Sequence, residues 1–177
     1  IEQSLKAGVD PELMLALATT ESGGNPIATS PKNAYGYMQV MPGTGKDVAA
    51  RLGEKEYRQT DGAQNIRIGI QYFKEMLDKV TAARPNLPKE ELTKLALASY
   101  NAGPGAVEKY NYTIPPYSET QNYVNKVTGF RNDISSARQT MQPRQSANTV
   151  PMIEQPQGND RQPSLQAPAY QQSGQPQ

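Results

Sequence analysis

Between Gly62 and Ala83 the chain runs without proline, and Ile66, Ile70, Phe73, Leu77 and Val80 return every three or four residues. That period belongs to a helix with one apolar face. A helix of this length is about 33 Å long, and a stripe running its whole length is buried only when several other helices pack along it. The stripe therefore predicts a mainly α domain with 62–83 as its central strut. Other boundaries follow from capping chemistry. Gly8 closes a first helix. Asp10-Pro11 opens a second, with Asp as N-cap and Pro at the first helical position. Thr44 is expected to cap a short helix that ends at Gly53. Asp61 with Gln64 fits a capping pattern ahead of the stripe, and Pro88 starts another helix. Ser118 with Gln121 opens the last one, expected to run to about Ser136. Tyr35 to Met41 reads as a short extended segment or small hairpin, and Glu54 to Arg58 as an exposed charged stretch. The expected architecture is five to six helices with at most a small β hairpin.

Composition changes near Arg138. The last 40 residues hold 11 Gln and 6 Pro with five large aliphatic side chains, too little apolar surface to offset the entropy of ordering. Residues 1–137 are expected to form the folded domain, and 138–177 a disordered tail, linker or tether to a larger assembly. The domain carries 15 basic and 15 acidic residues, not the excess of a nucleic-acid binder. No stretch reaches the length of apolar residues that a membrane span needs. The chain has no Cys and no His, which excludes thiol and Ser-His-Asp catalysis and the usual catalytic zinc sites. No metal or cofactor is expected. With Ile1 rather than Met at its start, the chain is expected to be a processed product or an excised piece.

The stretch Thr20 to Pro42 holds the most chemistry. Leu13 and Leu17 share a helix face with Glu21, and Gly23-Gly24 end that helix. The chain then returns as the uncharged, mostly apolar segment Gly36 to Pro42. An acid held against such a wall has its pKa raised by desolvation, which suits a general acid near neutral pH. The plain alternative is a solvated carboxylate at a helix end, since Glu is rarely buried. Ser30 and Asn33 fit loop capping as well as a site. Gln39 offers an uncharged amide that can both donate to and accept from a polar ligand. Met38 fits the core, and Met41 either the core or the wall of a site. Tyr100 and Asn101, at the end of the helix after Pro88, read as hydrogen-bonding groups beside an acid, or as a surface Tyr and a capping Asn. Glu119 reads as a first-turn capping residue, or as a group that touches substrate or orients Tyr100.

Three blocks also carry a resemblance. Glu21-Ser22, Asn25-Pro26, Ser30 and Gly36-Tyr37-Met38-Gln39-Val40-Met41-Pro42 form the first. Ser99-Tyr100-Asn101-Ala102-Gly103-Pro104-Gly105 forms the second, and Glu119-Thr120 with Tyr123-Val124 the third. In this order they resemble the signatures of soluble lytic transglycosylases, relatives of goose-type lysozyme, over roughly residues 5–130. Ser99 stands where that family usually has Ala, and Tyr37 where it usually has Leu. The resemblance implies a lysozyme-like fold with a substrate cleft. It also implies cleavage of the β-1,4 bond between N-acetylmuramic acid and N-acetylglucosamine in peptidoglycan glycan strands. Glu21 would be the general acid and base, with Ser22, Ser30, Gln39, Met41, Tyr100, Asn101 and Glu119 around the substrate. The product would be a 1,6-anhydro end, formed in the periplasm or cell envelope of a bacterium, or on a host wall by an enzyme carried in a phage virion. Most glycosidases use two carboxylates, and no acid lies between Ser22 and Lys46. That favours a lyase. A lysozyme-type hydrolase, and a non-catalytic glycan-binding part of a virion or secretion channel, are the other readings.

Overall fold

A computed structural model describes residues 1–141. The Gln/Pro-rich stretch 142–177, with the expectation of a disordered tail, lies outside the described residues. The domain is helical: α1 (Glu2–Ala7), α2 (Pro11–Ser22), α3 (Pro42–Arg51), α4 (Gly62–Ala83), α5 (Lys89–Ala102), α6 (Pro104–Lys109) and α7 (Ser118–Met141). Among the described residues that is seven helices, one more than the upper expectation. The addition is α6. Gly103-Pro104-Gly105 reads in sequence as a sharp exit from α5, and it is one; but Pro104 sits at the first position of a new helix, where its missing N–H and fixed φ are favourable. The expected hairpin is reduced to isolated antiparallel bridges, Thr29 with Tyr35 and Tyr35 with Val40.

Most boundaries follow the expected chemistry. Asp10 accepts the Glu12 N–H at 2.9 Å, Asp61 accepts that of Gln64 at 3.0 Å, and Gly23 ends α2 in the left-handed region. Helix α3 differs: it begins at Pro42 with Met41 as the preceding residue, two positions before Thr44, because Pro at the first helical position starts it. Helix α7 continues four residues past Ala137 to Met141. In the stretch 54–58, Lys55, Glu56 and Arg58 are exposed as expected, while Glu54 and Tyr57 are part-buried. Glu54 pairs with Arg67 at 2.8 Å, and the half-buried Tyr57 ring lies over Gly45.

The packing corrects the choice of central helix. Helix α5 is surrounded by α4, α6 and α7, and Leu95, Ala96, Leu97, Ala98 and Ser99 are all buried in succession. Five consecutive buried residues cover every side of a helix. Such a helix shows no stripe, and its small residues let neighbours approach closely. The strongly striped α4 is instead a wall with one face inward, contacting α1, α3 and α5. Its buried face is centred on Asn65, Ile68, Gly69, Phe73, Met76 and Val80, with Ile66 and Leu77 at the rim. Helices α2 and α7 lie antiparallel. Asp10 meets Arg131 at 2.7 Å and Glu12 meets Arg138 at 2.9 Å near one end, while Glu21 meets Tyr123 at the other.

Candidate active site

Glu21 sits in the last turn of α2, carried inward by Leu13 and Leu17, which are 5% and 0% exposed. It is part-buried, and its Oε1 accepts the phenol of Tyr123 from α7 at 2.5 Å. Burial pushes the Glu21 pKa up to about 7, against the lowering effects of the Tyr123 hydrogen bond and the Lys126 charge. Burial and the nearby Glu21 charge hold both Tyr123 and Tyr100 well above the usual phenol range, so both remain donors. Because the Tyr123 bond favours the ionised acid, its loss raises the acid's pKa. In Tyr123→Phe the Glu21 carboxyl is expected to titrate above about 7 by 13C NMR; a midpoint at or below that of the parent protein would contradict this electrostatic account.

The loop 35–39, the wall expected beside Glu21, is tied to its neighbours Ser22 and Tyr100, and four successive carbonyls in it are each held by a different group. Tyr35 O accepts from Asn65 Nδ2 at 2.8 Å, and Gly36 O from Gln39 Nε2 at 3.0 Å. Tyr37 O accepts from Ser22 Oγ at 3.0 Å, and Met38 O from Tyr100 OH at 2.8 Å. Met38 itself is core, at 1% exposure. The Tyr100 ring packs on Tyr72 at 5.2 Å between centroids. Tyr72 lines an open trough of about 840 Å³ with Thr44, Asp47, Arg51, Glu75 and Pro104.

The site residues expected from sequence thus divide. Glu21, Ser22, Gln39 and Tyr100 gather on this loop. The Ser22 hydroxyl proton is shared by the Ala18 and Tyr37 carbonyls. Both hydrogens of the Gln39 amide go to the Ala28 and Gly36 carbonyls at 3.0 Å. Gln39 therefore staples its own loop, at φ 45°, and only its Oε1 is left to face a ligand. Ser30 has its loop-capping role: its hydroxyl accepts the N–H groups of Lys32 and Ala34. Asn101 accepts from Thr120 at 2.8 Å, joining α5 to α7. Met41 is 40% exposed rather than core. Glu119 does not orient Tyr100, whose phenol is taken by Met38 O; it is exposed in the first turn of α7. Sequence reasoning missed Tyr123, which lies in the third block but reads as an apolar-face residue, and Asn65, which no motif marks.

The family model described as the transglycosylase SLT domain matches residues 1–119. Among curated proteins, the chain is 39% identical over 95 residues to membrane-bound lytic murein transglycosylase F of Klebsiella pneumoniae, covering 54% of this chain and 17% of that protein. It is 31% identical over 153 residues to membrane-bound lytic murein transglycosylase C of Actinobacillus pleuropneumoniae, covering 70% and 41%. The chain therefore spans less than half the length of either relative. The 70 kDa soluble lytic transglycosylase of Escherichia coli superposes with a TM-score of 0.62 at 27% identity, over 73% of this chain and 22% of that one. A complex of the 70 kDa soluble lytic transglycosylase with bulgecin A gives 0.65 at 26%, over 80% and 24%. With a family match that runs from α1 through α6 to the first residues of α7, and solved relatives that share the fold, the chain belongs to the transglycosylase SLT domain family.

Proposed function

We propose that this domain is a peptidoglycan lytic transglycosylase that cleaves the β-1,4 bond between N-acetylmuramic acid and N-acetylglucosamine, with Glu21 as its general acid and base. The observation that carries this reading is the state of Glu21: part-buried, bonded to Tyr123, and with a pKa pushed up to about 7. Such a group holds a proton to give near neutral pH and accepts one back afterwards. Glu21 donates to the glycosidic oxygen as the bond breaks toward an oxocarbenium-like state, assisted by the substrate's acetamide. The resulting carboxylate takes the proton of the sugar's own C6 hydroxyl, whose oxygen closes the 1,6-anhydro ring. One group serves both transfers, and neither a protein nucleophile nor a water is consumed. Most glycosidases use a second carboxylate; the stretch from Ser22 to Lys46 holds no acid, which supports the lyase. Tyr123 and Tyr100 orient the acid and its wall. Met41, Gln39 Oε1 and the trough beside Tyr72 offer surfaces for the glycan.

The names of the relatives, membrane-bound lytic murein transglycosylases of bacteria, support action on the glycan strands of the bacterial cell envelope. Digestion of purified sacculi tests the reaction. Released muropeptides are expected to carry 1,6-anhydromuramic ends, one water lighter by mass spectrometry than reducing ends. Reducing ends alone would replace this reading with a hydrolase.

A further inference from the structure

Asn65 is a fully buried amide, 0% exposed, that no step of this chemistry uses. Both its oxygen and its nitrogen are engaged with the loop. Oδ1 accepts the Met38 N–H at 3.0 Å, and Nδ2 donates to Tyr35 O at 2.8 Å and to the Tyr57 hydroxyl at 3.3 Å. A backbone N–H and a backbone carbonyl as partners fix which end of the amide is oxygen. The Met38 N–H belongs to the same planar peptide as the Tyr37 carbonyl, and that carbonyl is held by Ser22, the residue next to Glu21. One peptide plane is therefore gripped at its two ends, by α4 through Asn65 and by α2 through Ser22. The next plane is gripped in the same way: Tyr100 holds Met38 O, and the Gln39 N–H goes to Gly36 O at 3.2 Å. Close packing seals the arrangement, since a Cβ on Gly36 would lie 2.8 Å from the Asn65 side chain.

We propose that Asn65 is a positioning residue for this site: by clamping the Tyr37–Met38 peptide from α4, it sets where Ser22 and Tyr100 stand around the Glu21 carboxyl. The proposal rests on the reading of Glu21 as the proton donor. The groups that face Glu21 are Tyr123 and Lys126 from α7 and Tyr100 from α5. Asn65 changes none of these charges and touches no substrate. It acts by keeping the wall closed, and a loosened wall admits water and weakens the desolvation that raises the acid's pKa.

The test uses the full chain, with turnover of purified glycan strands followed against pH and the folded fraction measured by circular dichroism under the same conditions. Asn65→Leu and Asn65→Ala are expected to lower kcat per folded molecule by ~10–100-fold, the size of effect a small misplacement of a reacting group produces, while KM changes little. The alkaline limb of kcat is expected to move toward lower pH. Ser22→Ala releases the other end of the same peptide and should move the limb in the same direction. The double variant should be little worse than the worse single one, because both act on one plane. A limb that stays in place in the Asn65 variants, with activity restored by correction for the folded fraction, would leave Asn65 as a buried structural amide and overturn the proposal. Should neither Asn65 variant fold, an unmoved limb in Ser22→Ala overturns it equally. These outcomes are separate from failure of the underlying reading, which would show as a parent protein with no alkaline limb or as a fully active Glu21→Gln.

Discussion

Glu21→Gln is expected to reduce turnover by at least ~10³-fold while raising thermal stability at alkaline pH. The rate loss follows from removing the one group that gives and takes the proton, where general acid-base catalysis alone contributes about 10²–10⁴-fold. The stability gain follows from linkage. The folded-state pKa of Glu21, about 7, lies above the ordinary glutamate value of 4.5. Between these two pH values the folded protein retains a proton that the unfolded chain releases, so folding stability falls as pH rises through this window. It levels off above about 7. The penalty then amounts to on the order of 3 kcal/mol, at about 1.4 kcal/mol for each pH unit between the two values. Glutamine has a similar shape and never ionises, so it escapes that penalty. At pH 8 the variant should melt several degrees higher, with a few degrees expected per kcal/mol in a domain of this size. At pH 4 the two proteins should melt together. Comparable turnover in the variant would falsify the catalytic assignment. A melting difference that does not depend on pH would contradict the burial of the acid, whatever the activity.

What the sequence makes legible is local. The α4 stripe, the Asp10-Pro11 start and the Gly23 stop depend on neighbours within one or two turns, and each lies where those neighbours place it. Helix α5 shows what periodicity cannot reveal. Over residues 95–99 this helix is buried on all sides and has no polar face to mark it, so periodicity points instead to α4, whose exposed side makes its stripe visible. The site follows the same division. Glu21 stands out because a lone acid precedes a glycine stop and an apolar return. Its partner Tyr123 is 102 residues away, and Asn65 is 27 and 30 residues from the loop atoms it holds. Nothing local encodes those meetings. Ser22, Ser30 and Gln39 illustrate a further limit. Their side chains announce hydrogen bonding, but sugar and backbone present similar partners. In each case a loop carbonyl or N–H lies closer than any ligand need come.

The second large effect is expected at Gly69, in the middle of α4. Replacing a helical glycine by alanine normally favours the helix by about 1 kcal/mol. At Gly69 the added Cβ would lie 2.4 Å from Met38 Cβ and 2.7 Å from its Cγ. Met38 is 1% exposed, and its Cβ is one bond from backbone held by Asn65, Tyr100 and, through the preceding peptide, Ser22. No rotamer change moves a Cβ, so either the loop or the helix must shift. Overpacking of this kind costs roughly 1–3 kcal/mol, which exceeds the helix gain, and the displaced loop is the wall of Glu21. Gly69→Ala is therefore expected to lower both the denaturant midpoint and turnover per folded molecule. Gly45 is an instructive contrast. A Cβ there would come within 2.2 Å of the Tyr57 ring, a tighter approach, but that ring is half-buried and touches the clamp only through the 3.3 Å bond from Asn65 to its hydroxyl, while both bonds from Asn65 to the loop backbone stay in place. Gly45→Ala should cost less stability than Gly69→Ala and lower turnover less. Gly129, in α7, has nothing within 4 Å of its Cβ position, so Gly129→Ala should be stabilising by up to about 1 kcal/mol. The midpoints should fall in the order Gly129→Ala, parent, Gly45→Ala, Gly69→Ala. If Gly69→Ala proved as stable and active as Gly129→Ala, the loop would be docked on α4 softly enough to yield, and the clamped geometry around Glu21 would not be what holds the site together.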